Sequence, residues 1–320
     1  YTFCKRANVV YANGRSYLTF RNLIADETSA NPDGASQGYG MRAEGSTGIL
    51  FENCEAQHCG RHNFGSINSD LVTFRGCYAA YVGPSMQTLN QGNSLYVSFA
   101  DGNQWTQPCR SVYDNCTADH QDMIPEGGVF NFYDGHSQNG KPMNVIFKDC
   151  TSSGGKFYCT TDTGGTYAFT NGTLNAGRIE CWSANTTIDG VMFKSNAFID
   201  MWASGATIQN CVWDNVNAGE VACILFRAGS ANDIVRFNSF KTTGNNCMGF
   251  YGNAPGLKFY GNIFVGTPTY QGNAADVTYA DYNLYSTTPG TVMGQSWATW
   301  RTSRDLSGKT GDPLFTNPAG

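Results

Sequence analysis

The chain has 320 residues and a formal net charge of −5, with 14% charged residues, 13% aromatics and 38 glycines. The acidic balance argues against a sequence-independent grip on nucleic acid, which needs basic surface. No apolar run approaches the roughly 20 residues of a membrane-spanning helix. The composition is poor in helix formers and rich in strand and turn formers, so an all-β fold is expected.

Taken in chain order, one short phrase keeps returning. It reads "FRNLIA" (20–25), "FENCEA" (51–56), "FRGCYA" (74–79), "YDNCTA" (113–118) and "FKDCTS" (147–152), then "FTNGTL" (169–174), "IDGVMF" (188–193), "IQNCVW" (208–213), "VRFNSF" (235–240), "FYGNIF" (259–264) and "ADYNLY" (280–285). A unit near 22 residues with period-2 apolar alternation cannot bury its apolar face alone. Stacked as coils about 4.8 Å apart, such units cover one another. The prediction is a single-domain parallel β-helix over residues 1–320, of about eleven coils. The longer intervals become loops between coils, concentrated in the N-terminal half.

The fourth residue of the phrase is Cys at 54, 77, 116, 150 and 211, and Asn at 238, 262 and 283. Twelve cysteines suggest an oxidising compartment, but a shared Cys/Asn column is a packing device. These five are therefore expected to be buried free thiols, as are Cys159, Cys181 and Cys223 on a neighbouring strand. Cys4, Cys59, Cys109 and Cys247 stay open as bridge partners or free thiols.

The repeated phrase resembles the right-handed parallel β-helix superfamily that includes pectate lyases and polygalacturonases. The ending "DYNLYSTT…GDPLFTNP" is similar to the closing segment of many secreted members. The resemblance implies a polysaccharide as partner and a secreted, extracellular or periplasmic location. A chain that begins at Tyr1 without a methionine and stops at "GDPLFTNPAG" is expected to be a processed or trimmed product. Members are mostly polysaccharide lyases and hydrolases, and some are tailspikes or non-catalytic adhesion proteins. The likeness rests on scaffold positions, so the chemistry has to be read from the outward residues.

A strand precedes each phrase, among them "FYCT" (157–160), "IECW" (179–182), "IDMW" (199–202) and "ILFR" (224–227). Alternation sends Ile179, Cys181, Ile199, Met201, Ile224 and Phe226 inward and the residues between them outward. Counting back from the phrase sets Glu180, Asp200 and Arg227 in one exposed column, with Tyr251 further along and Trp182 and Trp202 beside it. Two neighbouring carboxylates suit glycoside hydrolysis, as acid/base or acid/nucleophile. Exposed indoles suit stacking on sugar rings, and Arg178 and Arg227 would orient the substrate. The same residues also read as the surface ion pairs Glu180–Arg178 and Asp200–Arg227.

The alternative is a lyase acting on a uronate-containing glycan. "HCGRHNFG" (58–65) falls in a bend, next to insertions at 25–40, 80–94 and 118–128. In that reading His58 or His62 is the base, helped by Arg61. Asp122 and Glu126 could hold Ca²⁺ through oxygen ligands, and no other cofactor is required. Lys156 and Arg178, at the starts of adjacent strands, form a second cationic pair. The bend reads equally well as a turn built on Gly60, Asn63 and Gly65. A third possibility is a non-catalytic glycan-binding or fibre protein.

Overall fold

The computed structural model describes residues 8–26, 28, 38–60, 62–82, 94–99, 109–119, 130–134, 143–159, 165–216 and 222–312. Internal contacts divide the chain into two compact units, Tyr1–Ala184 and Asn185–Gly320. Both are built from short parallel strands, several per coil, so each is a β-helix in its own right.

In the first unit, Thr19–Arg21, Leu50–Glu52, Val72–Arg75, Cys109–Asp114, Met143–Lys148 and Thr166–Thr170 pair successively in parallel. The register aligns Phe20, Phe51, Phe74, Tyr113, Phe147 and Phe169, the first residues of the phrase. Their rings stack in a column with centroids 4.7 to 5.2 Å apart. That distance is close to the strand spacing itself, so each ring covers the next.

The third residue of the phrase bends the chain. At Asn22, Asn53, Gly76, Asn115, Asp149, Asn171, Gly190, Asn210, Phe237, Gly261 and Tyr282 the φ angle lies between 51° and 69°. Asn, Asp and Gly tolerate this left-handed conformation, which explains the "N" and "G" of the motif. The bend aims the fourth residue inward. Each cysteine there reaches a carbonyl one coil away: Cys54 that of Phe20 (3.5 Å), Cys77 that of Phe51 (3.4 Å), Cys116 that of Phe74 (3.2 Å) and Cys150 that of Tyr113 (3.2 Å).

All eleven described cysteines are free. Cys59, Cys109 and Cys247 are buried thiols rather than bridge partners, and burial pushes Cys59 and Cys109 up to about 12. Cys4 lies outside the described residues.

The second unit uses a different filling. Its ladder runs from Cys211 through Asn238, Asn262 and Asn283. The Asn side chains donate to the carbonyls of Ile208, Val235 and Phe259 at 2.9, 3.0 and 3.2 Å. The aromatic column is shifted to two residues past the ladder. There Phe193, Trp213, Phe240, Phe264 and Tyr285 stack at 4.5 to 5.3 Å. Asn283 ends the ladder on Asp305 Oδ2 (3.0 Å), just beyond the short helix Trp297–Ser303, whose Trp300 stacks on Phe259.

In the first unit the strand after the bend region runs coil by coil through His62–Ile67, Ser94–Phe99, Phe130–Asp134, Lys156–Cys159 and Arg178–Cys181. This strand carries the candidate chemistry. The insertions expected at 25–40, 80–94 and 118–128 lie mostly outside the described residues.

Candidate functional site

Lys156–Cys159 and Arg178–Cys181 pair in parallel, with Lys156 opposite Arg178 and Tyr158 opposite Glu180. Phe157, Cys159, Ile179 and Cys181 are buried in the core, so Lys156, Tyr158, Arg178 and Glu180 share the outer face. Glu180 is nonetheless only 7% exposed. Arg178 donates from Nη2 to its Oε1 at 3.0 Å, and Lys156 Nζ lies 3.1 Å from its Oε2. The second contact is an ion pair without hydrogen-bond geometry, since Oε2 has no hydrogen-bond partner. Tyr158 lies under this group, with Lys156 Nζ 5.2 Å from its ring and Trp182 6.5 Å away, centroid to centroid. The Trp182 side is 40% exposed. Two cations therefore flank one carboxylate, beside a partly exposed indole.

The second unit holds Asp200 in a different way. Asp200 is 2% exposed, and Arg227 grips both its oxygens, Nε at 2.7 Å and Nη2 at 3.2 Å. The guanidinium is itself sandwiched, 5.2 Å from the Trp202 ring and 4.9 Å from Tyr251. A bidentate, ring-stacked arginine is a rigid arrangement. The strand register places Leu225, not Arg227, opposite Asp200. The expected column was out of step because seven residues separate Phe226 from Ile234, whereas five separate Met201 from Thr207.

These findings correct the expectation of an open carboxylate row. Alternation does send Glu180 and Asp200 to the outer face. Long cationic side chains from neighbouring positions then fold over them, so both carboxylates are buried and engaged. Neither offers a free pair of oxygens to a sugar in this geometry.

The bend "HCGRHNFG" separates into unlike parts. His58 is exposed, at φ 47°, with Nδ1 2.9 Å from Asp26 Oδ1 and its ring stacked on Tyr81 at 5.0 Å. His62 is 2% exposed; its Nδ1 lies 2.8 Å from Ser94 Oγ and its ring 4.8 Å from Tyr39. The buried Asn63 donates to the carbonyls of Ala56 and Ala80 at 2.8 and 2.7 Å, and Gly60 N–H donates to Thr28 Oγ1 at 3.0 Å. The stretch is thus a packed turn. His62 starts a strand instead of lining a rim, because Tyr39 and Ser94 from adjacent coils close over it. Three strand steps, about 14 Å, separate its strand from that of Lys156.

Arg61, His120, Asp122 and Glu126 lie outside the described residues. Among the described residues no three His, Cys, Asp or Glu side chains gather as a metal site. Tyr158 is the member of the Lys156 group that sequence reading passed over. Its signal was plain alternation, two residues after Lys156 on one strand.

No protein-family model matches the sequence, and no curated protein does. A solved structure does: a mannuronic acid specific polysaccharide family 6 lyase from human gut microbiota. The likeness has a TM-score of 0.59 at 12% identity and covers 94% of this chain and 77% of that one. The fold is a right-handed parallel β-helix. At that identity the likeness establishes architecture, and the reaction has to be argued from the residues.

Proposed function

We propose that this chain is a polysaccharide lyase that cleaves a uronate-containing glycan by β-elimination at Lys156 and Arg178. The observation that carries the reading is the in-register pair of cations around the single buried carboxylate of Glu180. The fold neighbour, a lyase specific for mannuronic acid, supports the substrate class. A hydrolase, the leading expectation from sequence, has less to support it, because both of its carboxylates are tied up by cations.

Two cations gathered on one outer face suit a substrate that brings its own carboxylate. Arg178 pairs with the uronate carboxylate and so stabilises the negative charge that develops on it. Lys156 takes the proton α to that carboxylate after giving up its own to solvent. The electron pair released forms the ring double bond as the C–O bond to the leaving sugar breaks, and the leaving oxygen takes a proton from water. Before that step Glu180 holds both cations in place, and Trp182 offers its exposed side to a neighbouring sugar ring.

The test is digestion of polymannuronate, polygalacturonate and a neutral glucan, read for both reducing ends and unsaturated-uronate absorbance. The expected result is absorbance on an acidic polymer that disappears in Lys156→Ala and in Arg178→Ala. Reducing ends without absorbance would overturn the lyase assignment in favour of hydrolysis. A chelation arm bears on Ca²⁺: loss of activity would bring in Asp122 and Glu126 as oxygen ligands, while retention would assign charge neutralisation to the two cations.

A further inference from the structure

We infer that the outer face of the strands Ile234–Arg236, Leu257–Tyr260 and Val277–Asp281 is a binding surface for an anionic sugar chain, sharing no residue with the Lys156 group. The ligand class rests on the lyase reading; the surface itself rests on three exposed rings and the contacts that hold them.

Phe237, Tyr279 and Tyr282 are exposed to 54%, 43% and 66%. Phe237 and Tyr282 occupy the left-handed bend position, at φ 56° and 59°, which the other nine coils fill with Asn, Asp or Gly. A bulky side chain there is strained. Burial does not compensate for it, because both rings face solvent. Gly261, the residue between them in the bend column, supplies the bed: a Cβ there would come within 2.6 Å of Phe237 Cδ1.

The platform is fixed from beneath. Asp189 accepts from Gln209 Nε2 at 2.8 Å, Gln209 Oε1 accepts from Arg236 Nε at 2.8 Å, and Arg236 Nη1 donates to Tyr260 OH at 3.1 Å. Tyr260 in turn meets Phe237 edge-on at 5.6 Å and Tyr279 at 5.4 Å. A chain of hydrogen bonds crossing four coils thus orients the rings without covering them. Rigid aromatic faces with polar edges suit pyranose rings, whose C–H faces stack while their hydroxyls hydrogen-bond at the edge.

Charge selects the sugar. Asp189 is saturated by Gln209 and Asn210, and Asp281 Oδ1 accepts two backbone N–H groups, from Tyr282 and Ser307. Lys258, opposite Tyr279 in register, is exposed and has no ion-pair partner among the described residues. A carboxylate-bearing sugar would supply one.

The experiment is native electrophoresis of the full chain in gels containing polymannuronate, polygalacturonate or a neutral glucan, using Lys156→Ala to prevent cleavage. Phe237→Asn/Tyr282→Asn is the probe variant, because Asn is what other coils carry at this bend, and its melting temperature should be unchanged or higher. Retardation by an acidic polymer that falls at least fivefold in the probe variant, and falls also in Lys258→Ala, is expected. Equal retardation of the probe variant and its parent would overturn the proposal. So would a mass that depends on concentration and is halved by the same substitutions, which would make the face a contact between two copies. Retardation that needs Phe237 and Tyr282, when the chain with Lys156 intact cleaves no acidic polymer, would sustain the surface while sinking the lyase reading. Cleavage with unaltered retardation in the probe variant would do the reverse.

Discussion

The two units solve one packing problem with opposite assignments. In the first, the large ring precedes the bend and the residue two past the ladder is small in five coils, Ala25, Ala56, Ala79, Ala118 and Ser152, with Leu174 in the sixth. In the second, Ile188, Ile208 and Val235 precede the bend, and Phe193, Trp213 and Phe240 follow the ladder. In these coils the core is filled whichever strand supplies the ring, and the coil with Phe259 and Phe264 takes one from each. The outer faces differ too. Glu180 is shared by two cations that approach from one side, whereas Asp200 is locked by one arginine held between two rings. The first arrangement brings two cations to one carboxylate; the second pairs one with one.

That contrast makes the largest prediction. Lys156→Ala should lower turnover on an acidic polymer by about 10²- to 10⁴-fold, the range for loss of a proton-transfer group, with little change in melting temperature. Arg227→Ala should act mainly on stability, because it leaves the Asp200 charge buried and unpaired, a loss of about 3 kcal/mol. Thermal unfolding and initial rates on the same two variants separate the roles. If Arg227→Ala were stable and inactive, the two faces would have been assigned the wrong way round.

Much of this was legible in the sequence. Eleven copies of one phrase reveal the coil, and the Asn/Gly at its third position announces the left-handed bend. The Cys/Asn column was readable because both side chains can donate to a carbonyl one coil away. The outer face was harder. Turn length is not periodic, so two extra residues after Phe226 put Arg227 out of the expected column. Burial of Glu180 and His62 depends on what the neighbouring coil lays over them, and in this fold that neighbour is some twenty to forty residues away in sequence.

A second effect on stability is read by pH. In the second unit Asp233 is 1% exposed; one oxygen accepts from Ala206 N–H at 2.8 Å and the other is buried without a partner. Burial pushes its carboxyl up to about 7, against an ordinary 3.8. Between these values the folded chain keeps a proton that the unfolded chain has released. Stability should therefore decline as pH rises from about 4 to about 7 and level off above. Denaturant titrations across that range should show the slope, and Asp233→Asn should flatten it.

The finest test sets the two ladders against each other. Asn262 donates to the Val235 carbonyl and to Asn283 Oδ1, and its own oxygen accepts from Asn238, so Asn262→Ala strands several buried groups at once. Each such group costs about 1–3 kcal/mol to leave unsatisfied. Cys77→Ala removes one weak S–H donor to the Phe51 carbonyl, a loss of about 1 kcal/mol once the small cavity is included. The Asn variant should be the less stable of the two by at least about 1 kcal/mol in equilibrium unfolding. Equal losses would mean that the ladder stabilises by volume alone, and that the change from Cys to Asn along the chain carries no energetic meaning. The expected inequality instead makes the Asn ladder a hydrogen-bonded column, ending on Asp305 where no further Asn follows. The thiol ladder of the first unit then relies on its stacked rings for what its weaker donors do not supply.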